Sequence, residues 1–217
     1  MKIGVLGTGD VGRVLAAGFA SRGHEVMIGS REPQQKKLSD WINETAQKVS
    51  AASFEETAAF GEVLILAIGW LNIENAIRLA KVENFAGKVV IDATNPLVFV
   101  EDGKPPVLDI GHTSSAGESV QQWLADARVV KAFNIVGNPH MVDPEFPDGK
   151  PDMFICGNDG DAKQTAGLLI EELGWPPVID LGGIENARYL EPLAMIWITH
   201  FFNQGFNGNH AFKLLRK

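Results

Sequence analysis

Short aliphatic and β-branched runs alternate with helix-length amphipathic stretches along almost the whole chain. Lys2–Leu6 predicts a first strand, residues 11–21 a helix closed by Gly23, and residues 24–28 a second strand. Residues 33–49 read as a helix with polar faces, 50–52 as a short strand, and 54–60 as a short helix. Strands follow at 63–68, 89–92 and 129–132, with helices at 73–81 and 118–124 between and after them. The strands are apolar throughout instead of alternating, which is the pattern of strands covered by helices on both faces. The expected fold class is therefore α/β, a Rossmann-type doubly wound sheet that is mainly parallel.

The pattern shifts at residues 139–151, where Pro139, Pro144, Pro147, Gly149 and Pro151 crowd together and predict a surface loop. It divides the chain into residues 1–150, a Rossmann-type main domain, and residues 151–217, a small α/β extension. That extension carries predicted strands at 153–156 and 178–180 and helices at 161–173 and 184–202. Pro192 falls inside the last helix and cannot donate to the Arg188 carbonyl, so a kink or break is expected there.

Composition narrows the classes of function. A chain of 217 residues can bury a sizeable core without disulfides or structural metals. The single cysteine, Cys156, allows no intramolecular disulfide and points to a reducing compartment, so a cytoplasmic location is expected. The net charge of −8 is spread over interspersed acids and bases with no basic stripe, which argues against a nucleic-acid partner. The longest apolar stretch near the C-terminus, residues 193–202, falls short of the roughly 20 residues a membrane span requires.

The sharpest chemical signal is Gly7-Thr8-Gly9-Asp10-Val11-Gly12, a G-x-G-x-x-G run that follows a strand and opens a helix. Gly7 permits the tight turn, Gly9 lets a pyrophosphate approach the backbone, and Gly12 lets the helix pack closely on the sheet. The free N–H groups of the helix N-terminus then face the phosphates. The bland alternative is a glycine turn that binds nothing, and the strand–turn–helix context argues against it.

The second strand selects the dinucleotide. NAD enzymes place an acidic residue at its C-terminal end, whereas this strand runs into Ile28-Gly29-Ser30-Arg31. A hydroxyl followed by a guanidinium suits the 2′-phosphate of NADP(H), with Lys36 or Lys37 adding charge from the next helix. The competing reading makes Arg31 an ordinary surface residue and gives the ribose to Glu32, one position past the expected place.

At this point the chain resembles the NADP oxidoreductases that work with the deazaflavin coenzyme F-420. It is also similar to the cytosolic NADPH domain of the STEAP metalloreductases. The resemblance is carried by the glycine run, by Gly29-Ser30-Arg31, by Ala67-Ile68-Gly69-Trp70 and by Lys131-Ala132-Phe133-Asn134. Phe154-Ile155-Cys156-Gly157-Asn158-Asp159, followed by Ala162-Lys163-Gln164, completes the set. It implies hydride exchange between NADP(H) and a flavin or deazaflavin, with Ile68, Gly69 and Trp70 beside the nicotinamide ribose. Thr94, Asn95 and Pro96 are implied in the same crevice, and Trp70, Asn95 and Pro96 become candidates for the acceptor wall. The segment 151–217 would complete that acceptor site, the partner would be a small redox molecule, and a homodimer is compatible with the reading.

Two rivals stay open. One is an NADPH-dependent reductase of small carbonyls or imines, although such enzymes commonly carry a large helical second domain that residues 151–217 are too few to form. The other is an NADP-binding redox sensor without turnover. None of the five histidines sits in a metal-ligand spacing, so no metal site is expected. His112 and His140 lie in loops near the expected crevice and could touch a substrate. Cys156, in an apolar strand, reads as an inert core thiol, and Ser115-Ala116-Gly117-Glu118 as a helix-capping box. Trp41, Trp123, Trp175 and Trp197 read as packing residues, and Trp70 has the alternative of merely capping the core.

Overall fold

A computed structural model describes residues 1–45 and 48–215. In chain order the strands are β1 (Lys2–Leu6), β2 (Glu25–Ser30), β3 (Val49–Ser53), β4 (Val63–Leu66), β5 (Val89–Asp92), β6 (Leu97–Val98), β7 (Val107–Leu108), β8 (Arg128–Lys131), β9 (Phe154–Gly157) and β10 (Ile179–Asp180). The helices are α1 (Asp10–Ser21), α2 (Lys36–Glu44), α3 (Phe54–Phe60), α4 (Trp70–Ala80), α5 (Ala116–Trp123), α6 (Gly160–Glu172) and α7 (Ala187–Asn203). Eight strands form one sheet in the order β10-β9-β8-β5-β4-β1-β2-β3. Every neighbouring pair is parallel except β8–β9, which is antiparallel. The expected Rossmann-type, mainly parallel α/β sheet is the fold observed.

The apolar strands are explained by cover on both sides. One core layer joins Ile3, Val5 and Ile65 to Leu15 and Phe19 of α1 and to Ile155 and Ile170 from the C-terminal segment. The other joins Leu6, Leu64 and Leu66 to Ile73 and Ile77 of α4, and to Leu190 and Ala194 of α7. Residues beyond 151 thus add β9 and β10 to the same sheet and α6 and α7 to the layers that cover it.

Several local expectations are corrected. The 33–49 helix shrinks to Lys36–Glu44, because Val49 is already paired to Val26 in the sheet; residues 46 and 47 of that expected helix lie outside the described residues. β4 stops at Leu66, releasing Ala67 and Ile68, and Gly69 caps an α4 that begins at Trp70, three residues earlier than its apolar period suggests. A small antiparallel hairpin, β6–β7, fills the stretch after β5. Pro192 does not break α7, which runs unbroken from Ala187 to Asn203. The missing N–H frees only one carbonyl near the helix start, and the turn before Pro192 is held from outside. Asn134 Nδ2 donates to the Leu190 carbonyl at 3.0 Å, and Lys131 Nζ meets Glu191 Oε1 at 2.9 Å.

Candidate active site

The strand order places β1 between β2 and β4, so the connections after β1 and β4 diverge and open a crevice at the carboxyl edge of the sheet. A crevice of about 340 Å³ lies there. Gly7, Thr8 and Gly9 form its floor, Ser30, Arg31 and Glu32 one end, and Ala67, Ile68 and Gly69 the opposite side.

The three glycines divide the work as their spacing suggests. Gly7 has φ of 120°, and a Cβ there would strike the Ala67 carbonyl. A Cβ on Gly12 would strike the Gly7 carbonyl, so α1 can approach the turn only without one. A Cβ on Gly9 would meet no protein atom within 4 Å, which makes it the position that leaves room for a ligand. Gly9 is also the N-cap of α1 and supplies no capping side chain, so the first-turn N–H groups remain for an incoming anion. Arg13 steadies the loop from behind: its Nε donates to the Thr8 carbonyl at 2.9 Å, and its guanidinium lies 5.5 Å from the Trp41 ring centroid.

At the β2 end, Ser30 Oγ accepts from the Glu32 backbone N–H at 3.0 Å, which leaves its own hydroxyl hydrogen to donate. Arg31 lines the crevice and is solvent-exposed. Lys36 is placed otherwise. It pairs with Asp40 one helical turn on, at 2.6 Å, and is not among the residues lining the crevice. Five lining residues were not singled out from the sequence: Gln35, Phe54, and Asn72, Asn75 and Ala76 of α4. The two asparagines flank the apolar stripe of Ile73, Ala76, Ile77 and Ala80, so a helical wheel of α4 already sets them at its polar edge.

Beyond Gly69 the carboxyl edge continues through the residues after β5 and β8. Asp92 and Lys131, paired across the two strands, are both fully buried. Lys131 Nζ contacts Asp92 Oδ2 at 2.8 Å, Glu191 Oε1 at 2.9 Å and the Thr94 carbonyl at 2.8 Å. Asp92 Oδ1 accepts from the Thr94 backbone N–H and hydroxyl, at 2.9 and 2.7 Å. Glu191 accepts from the Ala116 and Gly117 N–H groups at the start of α5, both at 3.0 Å. Burial alone would discharge the Lys131 ammonium, yet the two carboxylates outweigh it and raise its pKa above that of an ordinary lysine. The network thereby fixes Thr94 and ties β5, β8, α5 and α7 to one point. The sequence offers one signal for it, charged residues at the ends of two apolar strands, and no sign of the second carboxylate, Glu191, 60 residues past Lys131.

The three acceptor-wall candidates are separated in role. Trp70 stacks on Trp123 with centroids 5.8 Å apart, and its Nε1 donates to Asp109 Oδ2 at 2.7 Å. The Asp109 backbone N–H donates to the Pro96 carbonyl at 2.8 Å, so Trp70 and Pro96 are joined through the foot of the β6–β7 hairpin. Asn95 faces the other way and pairs with Asn134.

Cys156, Glu118, His112 and His140 lie outside the crevice lining. Burial pushes the Cys156 thiol up to about 12, against the pull of Lys131. Ser115 and Glu118 form a helix start, and Arg188 holds the Glu118 carboxyl below the usual carboxylate range. His140 lies on Phe146 and reaches Asn209, and His112 adopts a positive φ in its turn. No cluster of potential metal ligands occurs among the described residues, and no described helix is long and apolar enough to cross a membrane.

Comparison with known proteins agrees with this geometry. Residues 2–96 match the family model described as NADP oxidoreductase, coenzyme F-420-dependent. An F-420-dependent NADP reductase from Methanothermobacter marburgensis is 34% identical over 207 residues, covering 92% of each chain. The chain belongs to this oxidoreductase family. A crystal structure from Arthrobacter sp. FB24, described as a candidate F-420-dependent NADP-reductase, superposes with a TM-score of 0.93 at 40% identity, over the full length of both chains. The rat metalloreductase STEAP3 is 29% identical across 89% of this chain, which corresponds to 36% of that larger protein. Both expected resemblances are therefore present.

Proposed function

We propose that this family member transfers hydride between NADP(H) and a planar flavin-type acceptor, with the deazaflavin coenzyme F-420 as the first candidate. The observation that carries the reading is the pairing of an open phosphate cradle at Gly9 with a hydroxyl and a guanidinium at the end of β2. The names of the relatives point the same way.

The cradle tests well for a dinucleotide. Gly9 leaves room against the backbone, the α1 N-terminus offers N–H groups and a favourable dipole, and Ser30 retains a hydrogen to donate. Arg31 supplies the planar fork that suits a 2′-phosphate, while Asn72 and Asn75 flank the side of the crevice formed by α4. Bound nicotinamide would supply the hydride chemistry, so no protein nucleophile is needed. The protein's part is orientation. Ile68, Gly69 and Thr94 stand at successive strand ends, where a ring laid along the edge of the sheet would rest. Trp70, through Asp109 and Pro96, braces the hairpin as a wall for the acceptor, and Asn95 supplies polarity. Holding donor and acceptor carbons about 3–3.5 Å apart with water excluded accounts for the rate. Segment 151–217 contributes α7, which anchors this edge from beneath.

The test is cofactor choice followed by acceptor choice. NADPH should bind more tightly than NADH, and Arg31→Ala should remove most of the difference, about 10- to 150-fold for one charge-assisted contact of roughly 1.5–3 kcal/mol. NADPH oxidation should then proceed with coenzyme F-420 or a flavin and not with small carbonyls or imines. Equal affinity for the two dinucleotides would overturn the NADP(H) assignment, and turnover of an imine alone would overturn the acceptor.

A further inference from the structure

Asn134 is 6% exposed and sits directly after Phe133, a fully buried aromatic held at φ of 61°. A non-glycine residue in the left-handed region is uncommon, and for a bulky side chain it is disfavoured. Asn134 also carries a buried Oδ1 with no hydrogen-bond partner among the described residues, which is unfavourable too. Two adjacent residues are thus kept in arrangements that folding alone disfavours, at the end of β8 beside the candidate crevice.

What this arrangement achieves is control of Asn95. Asn134 Nδ2 donates one hydrogen to Asn95 Oδ1 and the other to the Leu190 carbonyl, both at 3.0 Å. Asn95 Nδ2 donates in return to the Asn134 backbone carbonyl at 2.7 Å. Both hydrogens of Asn134 are spent, and Asn95 cannot flip. Rotated by half a turn, its amide would set N–H against N–H and oxygen against oxygen. Asn95 is half-exposed, whereas Thr94 and Pro96 on either side are buried, and one Nδ2 hydrogen is left over.

We propose that Asn134 is a positioning residue that locks Asn95 as a hydrogen-bond donor to a ring carbonyl oxygen laid along the carboxyl edge of the sheet beyond the crevice. The proposal rests on the NADP(H) reading above. The carbonyl belongs either to the nicotinamide carboxamide or to the acceptor ring; the chemistry recognised is the same. Because the spare donor is fixed before binding, no ordering of the amide is needed when the ring arrives.

The test uses the full chain with NADPH, its thionicotinamide analogue, and coenzyme F-420 as acceptor. Asn95→Ala should lower transfer efficiency about 3- to 10-fold, as expected for one neutral hydrogen bond. Asn134→Ala should give a loss of the same size, and the double variant no further loss. Asn95→Asp keeps an acceptor for Asn134 but removes the spare hydrogen and sets a carboxylate oxygen against the Asn134 carbonyl, so it should lose at least as much as Asn95→Ala, and it serves if Asn134→Ala fails to fold. A weaker Kd for NADPH, with no change for the thio analogue, assigns the carbonyl to the nicotinamide; a raised KM for the acceptor at constant NADPH Kd assigns it to the acceptor. Additive losses, or full activity in Asn95→Asp, would overturn the proposal. Failure of the underlying reading would look different, as absence of NADPH binding in the unsubstituted protein.

Discussion

The crevice and the sheet edge beyond it are built on opposite plans. At the glycine turn the protein leaves groups unspent: first-turn N–H groups without a side-chain cap, an open position at Gly9, a Ser30 hydroxyl with a hydrogen to give, and an exposed Arg31. At the β5–β8 edge nearly everything is spent. Lys131, Asp92, Thr94 and Glu191 satisfy one another at zero to four per cent exposure, and Asn134 holds Asn95. The first is suited to gripping charge, which tolerates small errors of placement and gains from any nearby donor. The second is suited to holding a ring, where sub-ångström placement decides the rate.

The contrast can be tested by substitutions that strike one and spare the other. Gly9→Val should have the largest effect on function and a small one on folding. Its side chain would occupy the open cradle and abolish NADPH binding, while the melting temperature stays close to that of the parent, because a Cβ there meets no protein atom within 4 Å. Retained NADPH affinity in a folded Gly9→Val protein would mean the cradle lies elsewhere. Lys131→Met should do the reverse. It strands two buried carboxylates, and breaking a buried ion pair from one side is unfavourable by about 3–5 kcal/mol, readable as a lower midpoint in urea. An unchanged midpoint would show that the network is not the clamp described. Trp70→Phe is the mildest. It keeps an aromatic ring on Trp123 and deletes only the indole bond to Asp109, so stability should fall by about 1 kcal/mol, with transfer slowed only as far as the hairpin loosens.

Legibility in the sequence follows the same divide. β1, α3 and β5 fall at the residues that the pattern of apolar positions indicates, and the glycine turn is set by local sterics that any reader of the chain can apply. The ends of β4 and α4 were less clear, since Ala67 and Ile68 continue an apolar run yet leave the sheet to line the crevice. The hairpin was not legible: strands of two residues, Leu97–Val98 and Val107–Leu108, carry no period. Nor was the direction of β9, because an apolar run reads alike in either orientation. Lys131 is legible as a charge at the end of an apolar strand, but its solution depends on Glu191, 60 residues away and beside a proline whose missing N–H argues against the helix it occupies. Propensity lost there to tertiary contacts. Asn134 was quoted for its neighbours and not for its amide, whose role depends on a partner 39 residues back.

The lone thiol of Cys156 turns the sheet into its own clock. It is fully buried in β9, beside the antiparallel seam of the eight-stranded sheet, with its pKa pushed up to about 12 by burial. At pH 8 burial keeps this thiol protonated, so little of the thiolate that alkylating reagents attack is present. Labelling by a maleimide must therefore wait until that part of the sheet opens. Mass spectrometry of the labelled fraction over time would count those openings one molecule at a time, with no engineered probe and no second cysteine to confuse the record.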